Sequence, residues 1–233
     1  MFTELRNHSS TGTISSLLSE QGFVYEEHLN YQIGFQRPAE EIFKSIGPRT
    51  RKNIRRALNK GAVRIREIKD KTELVKGYKI LRKTYRVAQV PLADRSLFEA
   101  AFDVLFPAGM VKFFLAFVHE DPVAVSIELL YKHSMCGWYG MMDRAYRSYL
   151  SNELLTWHIL EWGSRNGYQL YDFGGAGRPQ EKYGVRDFKA KFGGGLVSFG
   201  RHVCVHQPGR LRLADTAYRF YRRMRGSGRE KHE

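Results

Sequence analysis

The spacing of apolar residues changes period several times along the chain, and each change predicts an element. Residues 48–60 open with Pro48 and stop at Gly61, the punctuation of a helix. Ile54, Ala57 and Leu58 fall on one side of it, while Arg51, Lys52, Arg55, Arg56 and Lys60 crowd the rest. Residues 62–68 alternate as a strand. Leu74, Tyr78, Leu81 and Tyr85 recur at helical spacing over 73–87, and a second helix is expected over 95–106. Three apolar runs follow at 111–119, 122–131 and 135–142, joined by links short enough to make antiparallel hairpins. Residues 152–166 form a strongly apolar helix, with Ser151 placed to cap it and Gly167 to end it. A strand at 169–173, a short helix opening near Val185 and a closing pair of strands between Leu196 and His206 come next. A basic amphipathic helix over 211–225 completes the pattern. Ahead of all this, 23–35 alternates enough for a strand or two and 39–46 suits a short helix. The first thirty or so residues are otherwise weakly patterned, and Gly226 onward reads as a frayed tail.

The segment from Tyr168 to Gly195 carries the densest chemistry. A strand delivers Asp172 into a turn built on Gly174, Gly175 and Gly177, and glycine lets backbone approach a ligand closely. The helix that follows carries Phe188, Lys189 and Phe192, so a fixed positive charge stands beside that turn. Such a charge suits a site where negative charge develops on an oxygen. The plainer alternative is a turn whose glycines serve geometry alone, beside a solvated lysine.

Charge narrows the partners. The 233 residues carry 38 basic and 24 acidic side chains, a formal charge of +14, which points to an anionic partner or surface. Cys136 and Cys204, the only cysteines, lie in strand-like surroundings. His202, Cys204 and His206 alternate onto one face, which reads as sheet packing, so no metal is expected. The N-terminus lacks the apolar core of a signal peptide, and a reduced, cytoplasmic setting is expected.

The element order predicts an α/β mixed sheet and resembles the GNAT N-acyltransferase fold, whose fourth and fifth strands splay to admit the acyl donor. Three motifs sharpen the resemblance. They are Thr50 to Ala57 with Lys60-Gly61, then Trp138-Tyr139-Gly140 with Arg147 and Ser151 to Trp157, then Tyr171 to Gly175 with Gly184-Val185 and Phe188 to Gly194. Together they are similar to the Fem family of peptidoglycan-bridge aminoacyltransferases. The likeness covers the second of that family's two GNAT-like domains, which implies a one-domain relative or a truncated chain. The divisions expected are an N-terminal crossover segment at 1–45, the acyltransferase domain at 46–208 and a basic helix and tail at 209–233.

The resemblance implies aminoacyl transfer from a charged tRNA to an amine, in cell-envelope metabolism at the inner membrane face, with no bound cofactor. It places Phe188 and Lys189 at the transfer site. Lys189 would stabilise the oxyanion, and Asp172, Asp143 or Glu128 would take the amine's proton. Asp172 is equally suited to capping its own turn, and His158 reads as a core histidine. Gly174, Gly175, Tyr139, Arg147, Asn152 and Trp157 are the expected substrate contacts. GNAT enzymes that use acetyl-CoA hold its pyrophosphate on a glycine-rich turn after the fourth strand. Here that stretch, Arg144 to Glu153, has no glycine. This favours aminoacyl-tRNA as donor, with Arg51, Lys52, Arg55 and Arg56 on its backbone. Acyl-CoA held by Arg144, Arg147 and Asn152 is the alternative, and a non-catalytic RNA- or membrane-binding relative is a third. The apolar side of the C-terminal helix is expected to pack on the domain. An anionic membrane, which would suit a lipid-linked precursor, is the other surface it fits.

Overall fold

A computed structural model describes residues 1–226 and their side chains through Tyr221. The expected frayed tail, beyond Gly226, lies outside the described residues. The chain divides into two compact units, one of residues 30–176 with 182–197 and one of residues 1–29, 177–181 and 198 onward.

The larger unit is a seven-stranded sheet with helices on both faces. Its strands are β3 (Leu29–Gly34), β4 (Val63–Glu67), β5 (Val111–Val118), β6 (Asp121–Tyr131), β7 (Ser134–Met142), β8 (Leu170–Gly175) and β9 (Gly195–Ser198), in spatial order β4-β5-β6-β7-β8-β3-β9. β5, β6 and β7 form the expected antiparallel hairpins, and β4 pairs antiparallel with β5. β8 returns parallel to β7, as a helical crossover requires. Those two strands share only three registered pairs, ending at Cys136–Asp172, and then part.

One face is covered by α2 (Ala39–Ser45), α3 (Pro48–Lys60) and α6 (Ser151–Arg165), around a core that includes Ile33, Ile54, Phe114, Leu154, Trp157 and Phe192. α4 (Lys71–Ala88) and α5 (Arg95–Leu105) cover the other, around Leu81, Phe98, Phe113 and Ile127. A small apolar cavity lies under them, lined by residues including Gly77, Leu81 and Phe113. The periodicity that predicted α3 misplaces one residue. Thr50, Ile54 and Ala57 are its buried side, and Leu58 is exposed. Asp70 caps α4 by accepting from the Glu73 N–H, which starts that helix two residues ahead of its first expected residue.

α6 ends as predicted, with Gly167 at φ +81° and the Tyr168 N–H returning to the Gly163 carbonyl. Its start does not follow the prediction. Leu150, at φ +57°, stands at the N-cap, and Ser151 is the buried first residue of the helix with no capping bond. A short 3-10 turn at Arg144–Tyr149 precedes it, capped by Asp143, whose carboxylate accepts from the Ala145 N–H.

The smaller unit contains β1 (Phe2–Arg6), α1 (Ile14–Glu20), β2 (Val24–Glu26), β10 (Arg201–Val205) and α8 (Pro208–Gly226). β10 is the middle strand of a three-stranded sheet, antiparallel to both β1 and β2. The closing strands predicted as a pair are thus in different sheets. His202 is buried, hydrogen-bonded to Asn7 and Ser15, which is the packing role expected of it. Leu213, Phe220 and Tyr221 of α8 are exposed, against the expectation that this helix packs its apolar side on the domain.

Candidate active site

The site forms where β7 and β8 part. β8 carries Asp172 into the turn, and the carboxylate accepts three hydrogen bonds. One oxygen accepts from Asn30 Nδ2 at 2.9 Å and Gln32 Nε2 at 3.1 Å, and the other from the Gly174 N–H at 2.7 Å. Asp172 therefore fixes the start of the turn. Gly174 adopts φ +72°, and a Cβ there would stand 3.2 Å from the Gly137 carbonyl oxygen of β7. Both conditions favour glycine.

Lys189 comes from α7 (Gly184–Ala190), the predicted short helix, and is buried instead of solvated. Its ammonium donates to the carbonyls of Phe173 at 2.7 Å, Gly174 at 3.1 Å and Gly175 at 2.8 Å. Arg186 Nε donates to the next carbonyl, Ala176, at 2.8 Å. Four consecutive carbonyls of the turn thus face two cations of one helix. Burial brings the Lys189 pKa down to about 8, with the Asp172 carboxylate acting in the opposite sense. The ammonium is still the main form at neutral pH, and each of its three protons already has an acceptor.

Sequence reasoning underrated the neighbourhood of Gly137. A β-bulge sets Ile127 opposite Tyr139 but Glu128 opposite Gly137, so Trp138 is the extra residue. A Cβ at Gly137 would lie 3.0 Å from the Tyr171 hydroxyl, 3.6 Å from Glu128 Oε2 and 3.7 Å from the Phe173 carbonyl oxygen. Gly137 is thus closely surrounded, with Glu128 and Tyr171 on one side. On the other is the Phe173 carbonyl that Lys189 holds.

Glu128 is completely buried. Ser126 donates to its Oε1 at 2.5 Å. Oε2 has no hydrogen-bond partner of regular geometry, although the Tyr171 hydroxyl stands beside the carboxyl. Burial pushes the Glu128 pKa up to about 7, and the Ser126 and Tyr171 hydroxyls oppose that rise. Burial also raises Tyr171 well above its ordinary value, which keeps its hydroxyl protonated.

Asp143, the remaining expected base, is committed elsewhere, and His158 takes the core position expected of it. Asp143 pairs with Lys83, and that hydrogen bond holds its carboxyl below the usual range. His158 lies edge-on to Phe114 in the core, and its pKa is lowered by burial.

The expected substrate contacts separate. Gly174 and Gly175 line the turn. Phe188 is half-buried against Phe192, with the Lys191 ammonium 5.5 Å from its ring centre. The bulge turns both Trp138 and Tyr139 toward Phe98 on the α4–α5 face, where Tyr85 packs against Tyr139. Burial pushes Tyr85 up to about 12. Arg147 is exposed on the 3-10 turn, and Asn152 lies in the first turn of α6. Trp157 requires a correction. It is buried in the core with its ring 4.7 Å from that of Phe43, because the apolar side of α6 faces the sheet and α2.

The cations of α3 divide as well. Arg51 donates to the Lys44 and Ile46 carbonyls at the end of α2, which makes it a structural cap. Arg55 lies 5.2 Å over the Phe43 ring. Arg49, Lys52, Arg56 and Lys60 project from an exposed face. Among the described residues no cluster of His, Cys, Asp and Glu could hold a metal ion, and no helix is long and apolar enough to cross a membrane.

A family model described as an Acetyltransferase (GNAT) domain matches residues 48–190, more than half of the chain. The chain belongs to the GNAT acetyltransferase family. The match spans α3 through α7 and so includes the parting strands, Glu128 and Lys189. Among solved structures, this GNAT domain is similar to FemX, with a TM-score of 0.71 and 16% identity over 87% of this chain and 71% of that one. It is also similar to L-PGS from Bacillus licheniformis, with a TM-score of 0.56 and 11% identity over 85% of this chain and 67% of that one. A third is a GCN5-related N-acetyltransferase from Sphaerobacter thermophilus, with a TM-score of 0.51 and 11% identity over 87% and 58%. At these identities the likeness is one of fold, and it supports the Fem-type resemblance at that level. No curated protein matches the chain significantly.

Proposed function

We propose that this GNAT acyltransferase moves an aminoacyl group from a charged tRNA to an amine of a cell-envelope precursor. The observation that carries the donor assignment is the turn between β7 and α6. A glycine-rich turn at that place would offer backbone amides to a pyrophosphate. This chain has the 3-10 turn Arg144–Tyr149, followed by Leu150 in the left-handed conformation and a buried Ser151. The exposed cations of α3 supply a surface for a polynucleotide backbone. The fold shared with FemX and L-PGS supports the same reading.

In this account the acceptor amine attacks the ester carbonyl carbon at the parting of β7 and β8. Glu128, poised near neutrality, takes the proton that the amine loses, through the Tyr171 hydroxyl. The carbonyl oxygen becomes an oxyanion, and the Lys189 ammonium exchanges one turn carbonyl for it. Collapse of the intermediate forms the amide and releases the tRNA terminal oxygen, which leaves as a hydroxyl by taking the proton back from Glu128 through Tyr171. Asp172 holds the turn in place, a positioning role set by its three donors.

The second reading is acyl-CoA as donor. It is favoured by the exposure of Arg144 and Arg147 ahead of α6, where they could meet phosphate. A labelled-donor assay with a membrane-extracted precursor pool as acceptor separates the two. Label passing from aminoacyl-tRNA to the precursor fraction, lost in Lys189→Ala, supports the proposal. Label passing only from acetyl-CoA overturns it.

A further inference from the structure

α8 is almost uncovered. From Pro208 to Tyr221 only Leu211 and Tyr218 are half-buried, and every other side chain is exposed. Leu213 is 72% exposed, Phe220 65% and Tyr221 48%. At 3.6 residues per turn Leu213, Ala217, Phe220 and Tyr221 share one side, and Arg212, Thr216 and Arg219 flank it, about 120° round the helix. On the polar side Arg219 pairs with Asp215 at 2.7 Å, one turn apart. A helix of this length gains little stability in water without a packed face. A contiguous apolar stripe left exposed marks an interaction site.

Charge identifies the occupant. Between Pro208 and Gly226 the sequence carries Arg210, Arg212, Arg219, Arg222, Arg223 and Arg225 against Asp215 alone. A nucleic acid would satisfy the arginines and leave Leu213 and Phe220 in water. A protein groove would take the apolar stripe and would need an acidic rim for the arginines. An anionic lipid surface accepts both, with apolar side chains at the headgroup–acyl boundary and guanidinium groups at the phosphates.

We propose that α8 lies in the plane of an anionic membrane surface, with Leu213 and Phe220 inserted and Arg212 and Arg219 at lipid headgroups. The inference rests on α8 alone and stands whichever donor the enzyme uses.

The test is flotation of the full chain with vesicles. Phosphatidylcholine vesicles containing phosphatidylglycerol are compared with pure phosphatidylcholine, at low and high salt. Binding is expected to the anionic vesicles and to weaken with salt. The Leu213→Asp/Phe220→Asp variant is expected to lose at least about tenfold in affinity. Arg212→Gln/Arg219→Gln is expected to lose about fivefold for each charge removed. All four side chains are exposed, so circular dichroism and thermal melting of both variants should match the parent. No binding to anionic vesicles overturns the proposal, as does binding that the Leu213/Phe220 variant leaves unchanged. Self-association in the absence of lipid, abolished by the same variant, would assign the stripe to a second copy of the chain and also overturn it.

Discussion

Glu128 offers a test of the site that needs no substrate. Its carboxyl is completely buried with one orphan oxygen, and its pKa stands at about 7 against 4.5 when exposed to water. The folded protein therefore binds this proton more tightly than the unfolded chain. Linkage makes stability fall as pH rises between those two values and level off above about 7. A difference of about 2.5 pH units at 1.36 kcal/mol each amounts to about 3 kcal/mol held against the fold at high pH. Glu128→Gln removes the charge and keeps the shape. Its carbonyl oxygen can still accept from Ser126, and its amide can face Tyr171. Urea unfolding of parent and variant across the pH range reads the effect. Below about 4.5 the two should match closely. The variant should gain steadily above that and exceed the parent by up to about 3 kcal/mol beyond pH 7. A stability difference that does not change with pH would refute the assignment of burial as the cause. A variant less stable than the parent at high pH would refute it also.

The chemistry gives further expectations. Lys189→Ala should lower transfer by about two to three orders of magnitude. It should also speed amide exchange in the Phe173–Gly175 turn, whose three carbonyls lose their common donor. Gly137→Ala should cut transfer by displacing the Tyr171 hydroxyl and should also lower the melting temperature, since its Cβ would stand 3.0 Å from that buried group. Trp157→Ala should cost about 3–5 kcal/mol in denaturant unfolding, the signature of a core residue. Lys52→Gln/Arg56→Gln should weaken tRNA binding and reduce its salt dependence by about one phosphate contact per residue.

Much of the larger unit is legible in the sequence, because its elements bury one well-defined side each. α3, the β5–β7 hairpins, α6 and α7 all follow from period and punctuation. The smaller unit is legible only in part: α8 and the strand β10 follow from pattern, but β1 does not. Phe2 to Arg6 is a weak pattern that becomes a strand by pairing with β10, nearly two hundred residues away in sequence. The separation of β9 from β10 into two sheets is decided in the same way, by partners and not by local preference. At the site, the strand, the glycine turn and Lys189 are readable as neighbours along the chain. The roles of Asn30 and Gln32 are not, since each meets Asp172 across about 140 residues of sequence. Glu128 is conspicuous as one acid in an apolar strand. Its pairing with the gap at Gly137 depends on the bulge at Trp138, which no local signal announced.

The central claim, a GNAT acyltransferase whose donor is a charged tRNA, is tested most directly by donor binding. The purified protein would be titrated with charged and uncharged tRNA pools and with acetyl-CoA, each at low and high salt. The account predicts salt-sensitive tRNA binding that favours the charged pool, without saturable binding of acetyl-CoA. Saturable acetyl-CoA binding, with equal and loose affinity for both tRNA pools, would contradict it.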